Sequence, residues 1–226
     1  MSNNHSLDNP ILAALTSVHA KHAVKKNNVL MYRPGTFIMV GATEISETTI
    51  KTLSELVPSE GFAGFMGFSP DMEPYFHQQA AIPAYQMVSE TVPVYPEVDY
   101  EPLGIADVKE MMELVELTKP GSPFFPGMFE LGKYIGVKKD GKLVAMAGER
   151  VKLDGYTEIA LVCTHPEYRR KGYAAALSGV LMKEIIDGGE NPFLHVMTHN
   201  VPAIKLYEKL GFKIRTEYII SAYRRA

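Results

Sequence analysis

Between Leu161 and Ile186 the chain reads LVCTHPEYRRKGYAAALSGVLMKEII, and the residue types collected there suit a polyanion. An apolar, β-branched run ends at Thr164. A turn follows at Pro166, then the cations Arg169, Arg170 and Lys171, then Gly172, then small residues that open a helix. A strand, a basic glycine turn and a helix N-terminus in that order point unpaired backbone N–H groups and the positive end of a helix dipole at one spot. Gly172 has no Cβ, so the backbone there can approach a ligand closely. The ligand such a junction fits is a pyrophosphate. Three adjacent cations alone would more often be a solvated turn, and it is Gly172 at the junction that favours binding.

A second pattern follows, NVPAIKLYEKLGF, from Asn200 to Phe212. With RRKGYA (Arg169 to Ala174) it resembles the GNAT superfamily of acyl-CoA-dependent N-acyltransferases. The signature there is Arg or Gln, two residues, Gly, one residue, then Gly or Ala. The resemblance covers roughly Pro93 to Tyr223. It implies an α/β (α+β) fold, a mixed and mostly antiparallel sheet flanked by helices. The plan is most similar to that of the two-lobed, glycine-N-acyltransferase-like members. The expected division is therefore an N-terminal lobe over 1–92, a candidate degenerate half of the same fold, and a catalytic domain over 93–226.

The resemblance also implies roles. The co-substrate is an acyl-CoA, acetyl-CoA first, and no metal is needed. Its pyrophosphate lies on the turn Arg169, Arg170, Lys171, Gly172, Tyr173 and Ala174. Val162, Cys163 and Thr164 lie where the family strand splays from its neighbour, so their free backbone groups pair with the pantetheine arm and hold the thioester oxygen. Asn200 hydrogen-bonds the pantetheine. Tyr207 protonates the leaving thiolate. The family's general base is often a Glu at the position of His195. The acceptor is a primary amine, a small molecule or amino acid being favoured, with a peptide or protein amine as the alternative. A catalytically silent CoA-binding module is the reading from another class.

The residues carry blander readings as well. Asn200 is a good N-cap for a helix starting at Val201, with Pro202 in its first turn. Tyr207 shares a helical face with Ala203, Leu206 and Leu210, which by periodicity is core. His195 lies on an apolar strand and reads equally well as a core histidine. Glu158, on the adjacent strand, is its rival as base, and Glu149 is a third candidate. Cys163 has no His at a partner spacing, so direct attack on the thioester is expected rather than a covalent enzyme intermediate.

The rest of the chain must position these groups. It has 226 residues and is 46% hydrophobic, enough for a sizeable core. Its net charge of −3 argues against a general nucleic-acid partner and sets the cation cluster apart from its background. A single Cys fits a reducing, cytoplasmic setting. No signal peptide, membrane span or metal-ligand spacing is legible, and monomer and homodimer stay open.

Periodicity predicts helices over 9–24 and 46–56 around a hairpin, 29–33 with 37–42, turning at Pro34-Gly35. Residues 61–67 read as strand or loop. The prolines at 93, 96 and 102 mark the lobe boundary. Beyond it the predicted order is β-α-α-β-β-β-α-β-α-β, including a hairpin that turns at Asp140-Gly141. Lys119 to Gly127, with three Pro, two Gly and Phe124-Phe125, is a loop, and in the family the matching segment lines the acceptor site.

Overall fold

The computed structural model describes residues 5–42 and 44–226. Before the Pro-rich stretch come α1 (Pro10–Thr16), β1 (Ala23–Lys26), β2 (Val29–Tyr32), α2 (Glu47–Leu56), β3 (Phe62–Met66) and β4 (Phe76–Val88). After it come β5 (Glu101–Leu103), α3 (Val108–Thr118), β6 (Tyr134–Lys139), β7 (Lys142–Leu153) and β8 (Tyr156–Thr164). The chain then continues through α4 (Tyr173–Asp187), β9 (Asn191–Met197), α5 (Val201–Lys209) and β10 (Lys213–Arg225).

Local chemistry explains most boundaries. Asn9, Ser46 and Asn200 each cap a helix with a side-chain oxygen, and Pro10 and Pro202 occupy first-turn positions where no N–H is needed. The N-terminal helix is shorter than its apolar spacing suggests. It stops at Thr16 and resumes only as a 3-10 turn over Ala20–His22. A first hairpin turns at Asn27, which holds a positive φ of 53°, and the chain turns again at the expected Pro34-Gly35, where Thr36 N donates to the Arg33 carbonyl at 3.0 Å. An Asn tolerates that left-handed conformation, so β1 pairs with β2. The expected second arm lies antiparallel to β2 around Met31 and Val40, with Gly41 N donating to the Leu30 carbonyl at 2.8 Å and Tyr32 N to the Met39 carbonyl at 3.4 Å.

Eight strands form one sheet in the order β3-β10-β4-β9-β8-β7-β6-β5. Only β8 and β9 run parallel. Helices α4 and α5 bury one face against Met87, Ile159, Leu194 and Val196. On the other face α1 and α3 pack over Leu161, Cys163 and Phe193. A third cluster lies under α2 and β3.

The expected division at 92/93 falls in the coil between β4 and β5. Helix α1, the β1–β2 hairpin and α2 lie outside the sheet, but β4 runs inside it, between β9 and β10. Prolines locate a coil; they do not say which sheet the strands on either side join. Of the first 92 residues, strands β3 and β4 therefore share a sheet with the rest. No helix of the described residues is long and apolar enough to cross a membrane.

Candidate active site

Two parallel strands that part company create the site. The pairing of β8 with β9 runs from Tyr156 opposite Asn191 to Glu158 opposite Phe193 and stops there. A bulge in β8 helps open the gap. Met146 sits opposite Cys163 and Gly148 opposite Ala160, so β8 carries one residue more than β7. Leu161, within the bulge, takes a left-handed φ of 55°. For a branched, non-Gly side chain this is strained backbone. A bulge of this kind turns backbone groups out of the ladder and toward the gap.

A cavity of about 780 Å³ fills the split. It is lined by Val162, Cys163, Thr164, Arg169, Arg170, Gly172, Tyr173, Ala174, Asn200 and Tyr207. Every sequence-predicted cofactor residue except Lys171 is among them. Lys171 instead stacks over the Tyr168 ring, 4.6 Å from its centre. Lys119, Arg169, Arg170, Lys205 and Lys209 bring positive charge to the lining, and no carboxylate joins them. In a chain of net charge −3 this is a marked local excess.

The turn at the cavity's end has the conformation its sequence suggests. Arg170 and Gly172 hold φ of 62° and 85°. No side chain caps α4 at Gly172, so the first-turn N–H groups are left for a ligand. Arg169 Nε donates to the Thr164 carbonyl at 3.3 Å and ties the turn to the end of β8. Asn200 Oδ1 caps α5 by accepting from Ala203 N at 3.3 Å, and its amide NH2 stays available to the cavity it lines.

Protonation states follow from burial. Burial pushes the Cys163 thiol up to about 12, with only a small opposing effect from a Thr118 hydrogen bond. The group is therefore a neutral thiol, not a thiolate nucleophile. Burial, and then the neighbouring Cys163, holds the Tyr207 phenol well above the ordinary tyrosine value, so it keeps its proton through neutral pH. Thr164 Oγ1 is buried without a protein partner.

The two candidate bases come together but not in the cavity lining. His195 Nδ1 donates to Glu158 Oε1 at 2.9 Å. Arg150 grips the same carboxylate with two bonds, Nε to Oε2 at 2.9 Å and Nη2 to Oε1 at 2.8 Å. Burial by itself would raise the Glu158 pKa. The charge of Arg150 and the hydrogen bonds from His195 and Arg150 outweigh it and hold the carboxyl at about 2. A carboxylate this well stabilised is a weak proton acceptor. Gln86 Nε2 donates to His195 Nε2 at 3.2 Å, while Gln86 Oε1 accepts from Arg215 Nη1 at 2.9 Å. Glu149, the third candidate, is buried and pairs with Lys152 Nζ at 2.8 Å.

Several site residues carry no sequence motif. Thr118, at the end of α3, is one, and beside it Lys119 and Pro120, the start of the loop expected to line the acceptor site, close one side of the cavity. Lys205 and Lys209 stand one helical turn apart on α5, a spacing that would have disclosed them. Arg150 and Gln86 were legible only as polar residues inside apolar strands, where a buried charge or amide demands a partner.

The FR47-like protein family matches residues 134–220. A GNAT-family protein of Novosphingobium aromaticivorans, solved as a crystal structure, is 30% identical and superposes with a TM-score of 0.87 over 99% of this chain and 100% of that one. A GCN5-related N-acetyltransferase from Kribbella flavida, 17% identical, shares the fold with a TM-score of 0.57 over 94% of this chain and 95% of that one. A curated N-alpha-acetyltransferase of Saccharolobus solfataricus is 49% identical over 49 residues, 21% of this chain and 29% of that protein. The match thus spans less than a third of that relative's length. A sheet split between two parallel strands, over a cationic glycine turn, defines the class of acyl-CoA-dependent N-acyltransferases. Within it, the chain belongs to the GNAT family.

Proposed function

We propose that this chain transfers an acetyl group from acetyl-CoA to a primary amine by direct attack. The observation that supports it best is the cavity in the β8–β9 split, rimmed by cations and ending at the uncapped start of α4. The pyrophosphate rests on the N–H groups of the Arg169 to Ala174 turn. The pantetheine arm lies along Val162 to Thr164 and meets Asn200. The amine nitrogen bonds to the thioester carbon and the carbon–sulfur bond breaks. Backbone N–H groups of the β8 bulge hold the developing oxyanion, an interaction worth most in a dry site. Tyr207 gives its proton to the departing thiolate.

His195 is the residue we assign to the amine proton, with Glu158 as its orienter. Glu158 fixes the Nδ1–H tautomer, so the Nε2 lone pair is the accepting one. Gln86 covers that lone pair but can retreat, because the Leu7 carbonyl, 3.0 Å away, accepts from the same amide nitrogen. Neither His195 nor Glu158 lines the cavity, so the proton reaches His195 through water. Burial of Cys163 as a neutral thiol supports direct transfer over a covalent route.

The test is release of free CoA from acetyl-CoA, measured with a panel of small amines, amino acids and short peptides. Binding of acetyl-CoA without CoA release on any amine would instead support a silent binding module.

A further inference from the structure

The acceptor's class can be argued from an edge that the sheet leaves open. β10 pairs with β4 along its whole length, from Lys213 opposite Val88 to Arg225 opposite Phe76. On its other side β4 pairs with β9 only from Ala84 to Val88. The last bond in that lane runs from Thr198 N to the Pro83 carbonyl at 3.0 Å, after which the chain turns away into α5. From Phe76 to Pro83 one flank of β4 therefore has no strand beside it, and His77, Gln78, Gln79, Ala81 and Pro83 are exposed.

Alternation fixes which groups this flank offers. Pro83 O and Ser89 N both point toward the β9 lane. In an antiparallel ladder every second residue points the same way, so the N–H and C=O of Ala81 face the open flank.

The open flank differs from the sheet's other margins. The outer side of β3 is covered by two backbone bonds, Val40 N to Gly64 O and Gly64 N to Ile38 O, each 2.9 Å. β5, at the far margin, is three residues long and contains Pro102. Long edges are ordinarily guarded by charge or by covering segments. The stretch FHQQAAIP on β4 has no Lys, Arg, Asp or Glu, and among the described residues no backbone bond from another segment closes the flank at Ala81. Its end lies near the cavity along the chain. Asn200, three residues after Met197, donates its backbone N–H to the Met197 carbonyl at 2.9 Å and lines the cavity itself.

We propose that the free edge of β4 at Ala81 seats an extended peptide, which adds as a short strand in the lane β9 vacates and presents its N-terminal amine to the cavity. β9 runs toward the cavity rim. A segment continuing its lane in the same direction lies antiparallel to β4 and has its N-terminus beside Met197 and Thr198. The edge supplies main-chain bonds, so it recognises a peptide without demanding a particular side chain. This turns the expectation of a small amine toward a peptide N-terminus. It rests on the acetyl-transfer reading above.

The test compares acetylation of an alanine amide with acetylation of an Ala-initiated pentapeptide amide, in the wild type and in two variants. Ala81→Pro removes the outward N–H at a position whose lane neighbour is already Pro83, so the strand accommodates it. Ala81→Val keeps the N–H. The pentapeptide is expected to have a KM about ten-fold lower than the alanine amide, the worth of one to two net hydrogen bonds. Ala81→Pro should erase that ratio and Ala81→Val should preserve it. Equal KM values in the wild type, or a ratio indifferent to Ala81→Pro, overturn the peptide edge and leave acetyl transfer standing. No CoA release on any amine overturns acetyl transfer itself. A dimer in analytical ultracentrifugation that Ala81→Pro dissolves gives the edge to a second copy and overturns the proposal.

Discussion

Glu158 and His195 meet at 2.9 Å, side chain to side chain, beside the last rung at which β8 and β9 are still paired. The hydrogen bond lies where the sheet begins to open, and Arg150 locks its carboxylate end. The pair is therefore both a clasp across the split and a means of orienting an imidazole.

The clasp can be separated from the chemistry. Arg150→Met leaves the Glu158 carboxylate buried without its main partner, which should cost about 3–5 kcal/mol in urea unfolding. Arg150→Met with Glu158→Leu should recover much of that, because both charges are gone. A single variant as stable as the wild type would show that Arg150 does not hold Glu158.

His195→Gln should lower kcat strongly while acetyl-CoA affinity holds, since the variant has no imidazole to take the amine proton. Glu158→Gln should slow turnover less. The reverse result, with Glu158→Gln the more damaging and His195→Gln near normal, would move the base to Glu158.

Tyr207→Phe keeps the ring packed against α4 and the sheet and removes the acid. Turnover should fall by ~10²-fold or more, the usual size of a general-acid contribution, while acetyl-CoA affinity measured by calorimetry holds. A fully active Tyr207→Phe would mean that the thiolate finds its proton elsewhere.

Lys205 and Lys209 are exposed residues on the cavity rim. The double change Lys205→Glu, Lys209→Glu should raise the KM for acetyl-CoA, and the penalty should shrink with added salt as the rim charges are screened. A KM indifferent to both the substitutions and salt would remove the rim from coenzyme binding.

His19 gives a pH signature far from the cavity. Its Nε2–H donates to the Leu131 carbonyl at 3.2 Å, and its Nδ1 accepts from the Tyr32 hydroxyl at 2.9 Å. Burial, then the charge of His22, holds its pKa down at about 4 against an ordinary 6.5. The unfolded chain binds this proton at higher pH than the folded one. Stability from this residue is thus complete above pH 6.5 and drains away as pH falls through about 4, by on the order of 3 kcal/mol. Chemical unfolding across that window should show the decline, and His19→Gln should flatten it.

Much of this was legible in the sequence. The junction from Thr164 to Ala174 and the helix opened by Asn200 announce themselves because glycine, capping and turn chemistry act between near neighbours. Many of the residues around the cavity lie in or beside those two motifs, while Thr118 to Pro120 do not. The Arg150–Glu158 grip and the Gln86 contact to His195 were invisible, because each joins different strands and leaves no periodic mark. The place of β4 was hidden for the same reason. FHQQAAIPAYQMV alternates poorly, its first part being exposed and its last part buried, so pattern alone could not choose its partners. The parting of β8 from β9 was expected from resemblance, while the left-handed Leu161 at its start has no sequence signal of its own.

The position of β4 also bears on how the chain comes into being. A ribosome delivers β4 well before both of the strands that flank it, β9 and β10. Until Lys213–Arg225 emerge, β4 has no neighbour on one side and the sheet is not continuous. Assembly therefore cannot proceed strictly from the first residue to the last. The nascent chain carries an unpaired strand through most of its synthesis, the kind of exposure that holdase chaperones bind. Loss of β10 would also leave β3 and β4 without the partner that joins them, so a truncation that removes Lys213–Arg225 should undo structure far upstream of it.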